Sequence, residues 1–127
     1  MPDNKIYIGR RKGCGDIEVY AGDGHGNIEP LLPGPSQAVY NHSPDGFEWG
    51  YSGSGPSQLS LALLLDATGN DDLAMTYHQD FKACFVAGWR EGYWAIEAET
   101  IRAWVEIREF GHGDEKKLGV VRCRRSG

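Results

Sequence analysis

Residues 53–87 read GSGPSQLSLALLLDATGNDDLAMTYHQDFKACFVA, and this stretch decides the fold. Pro56 indicates a helix start, because proline suits the first helical position, where the backbone needs no hydrogen-bond donor. Gly69 is expected to end this helix in a left-handed conformation, and Asn70 is expected to cap a second helix immediately afterwards. The stretch therefore predicts an antiparallel αα-hairpin over about residues 56–87.

The two predicted helices differ in how their apolar residues are distributed. The first has leucine on nearly every side, which is typical of a helix surrounded by other elements. The second is one-sided, with apolar residues at steps of four: Leu73, Tyr77, Phe81 and Phe85. We therefore expect the first helix to be the most buried element and Cys84, on the apolar face of the second, to lie in the core.

The first third of the chain alternates short apolar segments with glycine-rich turns. Residues 6–8 and 17–21 have the β-branched and aromatic content of half-buried strands, which predicts a small antiparallel meander. The proline-rich segment 30–44 is expected to be an irregular connector, with only Gln37 to Tyr40 as a short strand.

Aromatic residues follow this connector at a spacing of two. If the segment is extended, Phe47, Trp49 and Tyr51 point to one face and act as anchors.

A third helix is predicted near residues 98–108, where Ile101, Trp104 and Val105 share a face. The fold class that follows is α+β, with the N-terminal meander packed on the αα-hairpin (about 56–87) and on this third helix. Residues 1–115 are expected to form one domain. Residues 116–127 are a basic C-terminal end, which is either a short strand or a loose tail.

Composition excludes several classes of protein. With 40% hydrophobic and 24% charged residues, the chain is typical of a globular domain rather than a disordered one. No apolar run reaches the roughly 18 to 20 residues that span a bilayer, and the N-terminus lacks a secretory apolar region, so we expect a cytoplasmic protein. Three widely spaced cysteines exclude a fully paired disulfide framework, and reduced thiols are the simple interpretation.

The net charge of −5 is unevenly placed along the chain. Residues 1–44 carry −1, residues 45–115 carry −9 and residues 116–127 carry +5. The acidic body suits a basic protein partner, with these candidate binding residues: Asp71, Asp72, Asp80, Glu97, Glu99, Glu106 and Glu109. Nucleic-acid binding is not expected except through the basic end, at Lys116, Lys117, Arg122, Arg124 and Arg125.

A family resemblance rests on the run from Asn41 to Asp66, with its Phe-x-Trp-Gly-Tyr-x-Gly-Ser-Gly-Pro string. It continues through Ala74, Tyr77, Gln79, Asp80 and Phe81 and into the Ile-Arg-x-Trp segment at residues 101–104. Over about residues 5–108 the chain resembles a domain family of unknown function that is encoded by bacteria, plasmids and phages. The resemblance implies an accessory protein of a mobile genome, and it transfers no catalytic residue.

The Gly-Ser loop ahead of the first predicted helix is a candidate anion site, because free N–H groups and the positive helix end converge there. Its candidate residues are Trp49, Ser52, Gly53, Ser54, Gly55, Ser57 and Gln58. The alternative is that small residues let this turn pack beneath Trp49. The loop lacks the lysine of a P-loop, so the packing interpretation is favoured.

No catalytic or metal site is predicted. His42 lies near Ser43 and Asp45, but there is no nucleophile elbow, and capping of a proline turn explains the same residues. Asp16, Asp23 and His25 match no metal-binding spacing, and His78 lacks a partner at ligand spacing, so a solvent-facing position is expected. We therefore expect no catalytic residue, no metal and no cofactor.

These observations favour a non-enzymatic interaction module of a phage, plasmid or mobile element that binds a protein partner through an acidic surface. A concrete version is an inhibitor of a host defence or nucleic-acid enzyme. The alternative is a binder of a small anionic ligand or nucleotide that uses the Gly-Ser loop.

Overall fold

A computed structural model describes residues 4–13 and 15–111 and shows an α+β fold, as predicted. Four strands form one antiparallel sheet: β1 (Ile6–Arg11), β2 (Ile17–Gly22), β3 (Ile28–Pro30) and β4 (Tyr93–Glu97). The helices are α1 (Gly34–Val39), α2 (Ser54–Thr68), α3 (Asp71–Cys84) and α4 (Ala98–Gly111), with a 3-10 turn at Val86–Gly88. The basic end at residues 116–127, with its candidate nucleic-acid residues, lies outside the described residues.

The sheet has the order β3-β2-β1-β4, so that the two strands predicted from the sequence gain β3 on one side and β4 on the other. In β4, Trp94 and Ile96 point inward and the other three residues are exposed. The sequence analysis missed β4 because the alternation covers only five residues and Gly92 beside it suggested a turn. Strands this short depend on their pairing partner, here β1, rather than on a local signal.

A glycine in β1 allows the sheet to accept this tryptophan. Gly9 is paired with Val19 on one side and Trp94 on the other. A Cβ at position 9 would lie 2.2 Å from Trp94 Nε1, so the indole lies directly on the glycine backbone. The absence of a side chain at Gly9 therefore sets how closely Trp94 packs on the sheet.

The prediction that the first long helix is surrounded by other elements is confirmed. Its leucines at 59, 61, 63 and 64 are fully buried, and α2 packs against α1, α3 and α4. The Tyr7 hydroxyl of β1 donates to Asp66 Oδ2 at 2.6 Å, which ties α2 to the sheet. The central position of α2 follows from its lack of a polar face.

The turn between α2 and α3 follows the sequence prediction closely. Gly69 adopts φ 64°, a left-handed conformation, and its N–H donates to Leu65 O. Asn70 caps α3 by accepting a hydrogen bond from Leu73 N at 3.1 Å. Such caps act within one turn of helix, so a local sequence pattern can predict them.

Two predictions for the region before α2 were wrong. Residues 37–40 were expected to form a strand, but residues 37–39 form the end of α1 and Tyr40 follows it. Helix α1 begins among prolines, which suit a first helical turn. The aromatic residues at 47, 49 and 51 do not share one face of a strand. Trp49 is buried, Phe47 is half-buried and Tyr51 is half exposed, because the backbone turns at Gly50, where φ is 88°.

The helix ends also differ from the prediction, with α3 ending at Cys84 and α4 extending to Gly111. Cys84 is half-buried rather than a core residue, and it is disulfide-bonded, so the expectation of reduced thiols was wrong for this residue. Cytoplasmic location stays a prediction. In the described part of the chain, no helix has the length and apolar character needed to span a bilayer.

The contact between Gly9 and Trp94 predicts that two glycine substitutions change the free energy of unfolding to different extents. Gly9→Ala should destabilise the protein by about 1–3 kcal/mol, because the new Cβ overlaps the indole and overpacking has costs of this order. Gly92→Ala is the control, since nothing lies within 4 Å of a Cβ at that position. Urea denaturation measures both free energies of unfolding, and equal effects would contradict the packing argument.

Candidate functional site

A polar cluster lies where the loop before Trp49 meets the first turn of α2 and one side of α3. We call it the histidine cluster, and its members are His42, Ser57, His78, Gln79 and Lys82. His78 is only 4% exposed and His42 is half-buried. The expectation that His78 faces solvent was therefore wrong: α3 turns this residue toward the loop rather than outward.

Gln58 of α2 holds the loop in place beside the cluster. Its Oε1 accepts hydrogen bonds from the backbone N–H groups of His42 and Ser43, at 2.7 and 2.9 Å. Its Nε2 donates to Ser36 Oγ and to Tyr40 O, at 2.9 and 3.1 Å. This fully buried carboxamide has all its hydrogen-bonding groups paired within the chain, so the geometry favours a structural role over ligand binding.

Backbone contacts fix the orientation of His78. Its Nδ1 lies 3.1 Å from Ala74 O and 2.9 Å from Met75 O, so Nδ1 carries the proton and donates to these carbonyls. In the neutral ring Nε2 is then the acceptor, and it faces His42 Nε2 at 2.8 Å. His42 must therefore be the donor, with its proton on Nε2.

A chain of hydrogen bonds continues from His78 to Lys82. Gln79 Nε2 donates to His78 Nε2 at 3.3 Å, and Gln79 Oε1 accepts from Ser57 Oγ at 3.3 Å. Lys82 Nζ in turn donates to Ser57 Oγ at 3.1 Å. The two contacts at His78 Nε2 run from donor to acceptor only while His78 is neutral, because a protonated ring has no lone pair to accept them.

The surroundings favour that neutral state. Burial lowers the pKa of His42, and the nearby His78 and Lys82 add to the effect. Burial also lowers the pKa of His78. Lys82 lowers it further, whereas the hydrogen bonds to the Met75 and Ala74 carbonyls raise it. Burial is thus the main reason that both imidazoles stay uncharged near neutral pH, and Lys82 adds to its effect.

The arrangement does not form a hydrolytic triad. His42 Nε2 donates to His78 rather than accepting a proton from a serine. Ser57 is 3% exposed, and its hydroxyl is already paired with Gln79 and Lys82, which leaves a substrate no access. A nucleophilic serine needs both a base and an open face.

The Gly-Ser loop residues do not converge on one opening. Trp49 is in the core, and its Nε1 donates to Glu91 O at 3.0 Å. A Cβ at Gly53 would lie 2.6 Å from the Tyr51 ring, and one at Gly55 would lie 2.6 Å from Glu48 Cβ. Small residues are therefore needed for packing here, and only Ser52 and Ser54 among the candidates are exposed.

The turn considered as a metal loop has another role. Asp23 Oδ1 accepts from the backbone N–H groups of His25 and Asn27, and its Oδ2 accepts from Asn27 Nδ2 at 2.6 Å. These contacts shape the hairpin between β2 and β3. Among the residues that the structure describes, no three His, Cys, Asp or Glu side chains form a metal-binding group.

The acidic candidates fall on two different parts of the surface. Asp71 and Asp72 occupy the first turn of α3, where the positive end of the helix favours them. The others lie on or beside α4: Asp80, Glu97, Glu99, Glu106 and Glu109. Asp80 comes about 13 Å after Asp71 along the helix axis, so the seven carboxylates do not make one patch.

The neutral histidine pair predicts a loss of stability in mild acid. Both pKa values lie below the ordinary 6.5, so the unfolded chain takes up protons first as pH falls. Stability is therefore complete above pH 6.5 and is lost as pH falls through the folded pKa values, by at most about 1.4 kcal/mol per pH unit for each histidine. Urea denaturation between pH 7.5 and 5.5 measures this slope.

The control is His25→Gln, at the exposed hairpin tip, which should keep the pH dependence of the original protein. The double variant His42→Gln, His78→Gln should be flatter over the same range. A double variant with an unchanged slope would show that other groups cause the pH dependence.

Comparison with known proteins gives a family and no activity. No curated protein and no solved structure matches the chain. A family described as "Family of unknown function (DUF6166)" matches residues 7–107, which include all of the sheet but Ile6, the histidine cluster and most of α4. Because that match spans well over half of the 127 residues, the chain belongs to the DUF6166 family.

Proposed function

We propose that this protein is a non-enzymatic interaction module that binds a basic, amphipathic segment of a protein partner through the outward face of α4. The observation that carries the proposal is an exposed apolar stripe on that helix. Ile107 is 57% exposed and Phe110 is 72% exposed, and Ala103 precedes them one helical turn earlier on the same side. Apolar side chains at steps of three and four form the contact stripe of a helix that binds a partner.

Carboxylates border this stripe along one side. Glu99 and Glu106 are exposed and lie seven residues apart, about two helical turns, so both flank the apolar residues. The basic side chains of α4 point elsewhere: Arg108 is paired with Asp80, and Arg102 donates to Ala67 O. The stripe therefore presents apolar anchors beside negative charge, which is complementary to a partner with apolar and basic residues.

The opposite side of α4 is firmly attached to α3. Trp104 packs edge to face on Phe81 and Tyr77, and Arg108 lies over the Trp104 ring while its guanidinium bonds Asp80 at 2.8 Å. Burial raises the pKa of Tyr77, and Glu109 nearby adds to this rise. The face is therefore held on a rigid support, which lowers the entropic cost of binding.

The resemblance to proteins of mobile genomes suggests the setting of this interaction. A phage or plasmid protein whose exposed carboxylates occupy a basic groove could inhibit a host defence or nucleic-acid enzyme, since the carboxylates would replace phosphates. This version places the protein in the cytoplasm, where such enzymes act.

A peptide assay tests the proposed face. The probe is a synthetic amphipathic peptide of leucine and lysine, with a leucine and glutamate peptide of equal length as its counterpart. We expect fluorescence anisotropy to show binding of the basic peptide only, weakened at about 1 M salt by screening. Glu99→Lys with Glu106→Lys should remove binding, and Phe110→Ser should weaken it at least about tenfold, as expected of an interface anchor.

Two variants elsewhere on the surface serve as matched controls. Glu29→Lys reverses a charge on the exposed strand β3, and Leu32→Ser removes an apolar side chain that is exposed to a similar degree. Both should bind the basic peptide like the original protein. If the controls lose binding as strongly as the α4 variants do, the interaction is general charge attraction and the proposal fails.

A specific observation supports a second candidate function, the binding of a small phosphate-bearing ligand near the start of α2. The Lys82 ammonium lies against the first turn of this 15-residue helix, and that turn contains no acidic residue. A cation at the positive end of a helix is electrostatically unfavourable, so an anion bound there would relieve the repulsion. Exposed Ser54 at the helix start could donate to such an anion.

Thermal unfolding with inorganic phosphate and AMP tests this candidate at constant ionic strength. A ligand that binds the folded state stabilises it by about 2.7 kcal/mol at one hundred times its Kd. The melting temperature should rise with phosphate, and Lys82→Gln should abolish the rise. Arg90→Gln, which removes an exposed cation elsewhere on the surface, is the control. An equal rise in the Lys82 variant would reject the site.

A further inference from the structure

We propose that His42 and His78 form a binding site for a divalent transition metal ion that prefers right-angled ligand geometry, such as Ni²⁺ or Cu²⁺. The two Nε2 atoms converge at 2.8 Å from different elements, a loop and a helix. They belong to the histidine cluster, and the site is independent of the proposed partner-binding face on α4.

His78 is already held as a metal ligand would be. Metal-binding histidines normally donate the other ring N–H to a backbone carbonyl or a carboxylate, which fixes the ring and leaves a lone pair for the metal. His78 Nδ1 donates to Ala74 O and Met75 O, and its Nε2 lone pair points toward His42. The ring is 4% exposed, so its position is set by packing before any metal arrives.

His42 can become the second ligand without gaining or losing charge. Its neutral ring now carries the proton on Nε2, and moving that proton to Nδ1 exposes the Nε2 lone pair. The half-buried position of His42 allows solvent to carry this proton. The Tyr40 ring lies against the imidazole at a tilt of 36°, with 4.5 Å between the ring centroids. The depressed pKa values of both histidines reduce competition from protons near neutral pH.

The separation of the nitrogens indicates which metals fit. With metal–nitrogen bonds of about 2.05 Å, a nitrogen separation of 2.8 Å corresponds to an angle of about 86° at the metal. Tetragonal and octahedral ions take angles near 90°, whereas tetrahedral Zn²⁺ needs nitrogens about 3.3 Å apart. The nitrogen separation therefore matches Ni²⁺ or Cu²⁺ and is too short for Zn²⁺. To bind the ion, His42 moves its proton to Nδ1 and both rings turn so that their lone pairs meet at the metal rather than face each other.

Neighbouring groups both complete and limit the site. Gln79 now donates to His78 Nε2, and turning its carboxamide over would present Oε1 as a third ligand. Solvent would fill the remaining coordination positions on the half-buried side of His42. The Lys82 ammonium opposes a bound cation, so removing this charge should tighten metal binding while it weakens phosphate binding.

Calorimetric titration of the full, untagged chain with NiCl₂ at pH 7.5 tests the proposal. We expect one Ni²⁺ per chain, and His42→Gln and His78→Gln should each weaken binding at least about tenfold, since even the loss of a supporting residue costs 10–100-fold. Lys82→Gln should bind more tightly, and His25→Gln should bind like the original protein. Circular dichroism and thermal unfolding verify that each variant is folded.

A second readout does not depend on affinity. Paramagnetic Ni²⁺ should broaden the imidazole NMR signals of His42 and His78 before that of His25. Broadening that begins at His25, or unchanged Ni²⁺ binding by the His42 and His78 variants, would mean an adventitious cation only and would overturn the site. Zn²⁺ binding tighter than Ni²⁺ would overturn the right-angled geometry.

Discussion

The buried carboxamide of Gln58 is the constraint on which the arrangement around α2 depends. An amide without solvent contact must find its partners inside the protein, because each unpaired group would cost about 1–3 kcal/mol. Gln58 finds them in α1 and the following loop, at Ser36, Tyr40, His42 and Ser43. These contacts hold an otherwise proline-rich, irregular segment against α2. The approach of His42 to His78 is a consequence, since the backbone of His42 is itself one of the donors.

The sequence predicted features whose causes are local. Gly69 and Asn70 could be recognised because a left-handed turn and a helix cap each depend on a few adjacent residues. The strand β4 could not be recognised, since five residues acquire their structure only by pairing with β1, more than 80 positions earlier. The short helix α1 was missed for a similar reason. Its prolines are compatible with a helix start and with an irregular connector, and the contacts that hold this segment come from Gln58, which is distant in the sequence.

The candidate sites show the same difference between features with local causes and features with long-range causes. A glycine and serine loop before a helix is compatible with anion binding and with close packing, and only the contacts of Gly53 and Gly55 distinguish the two. The histidine pair gave no signal, because His42 and His78 are 36 positions apart and neither has a ligand at helical or loop spacing. The carboxylates of α4 were selected from charge alone, and their role in binding a partner stays a prediction. The exposed Ile107 and Phe110, which give that face its apolar anchors, were not selected, since apolar residues in a helix usually indicate the core.

Helix α3 contributes both to the histidine cluster and to the support of α4, which carries the proposed partner-binding face. Its core-facing stripe contains Ala74, Tyr77 and Phe81, with His78 and Lys82 on one flank and Asp80 on the other. One flank contributes to the histidine cluster and the other holds α4 through Arg108. The two proposed sites therefore share a helix but no hydrogen-bond partner, and close-packed side chains separate them. Sites without shared partners usually behave additively, so a ligand in the cluster and a partner on α4 can bind the same molecule without competing for any side chain.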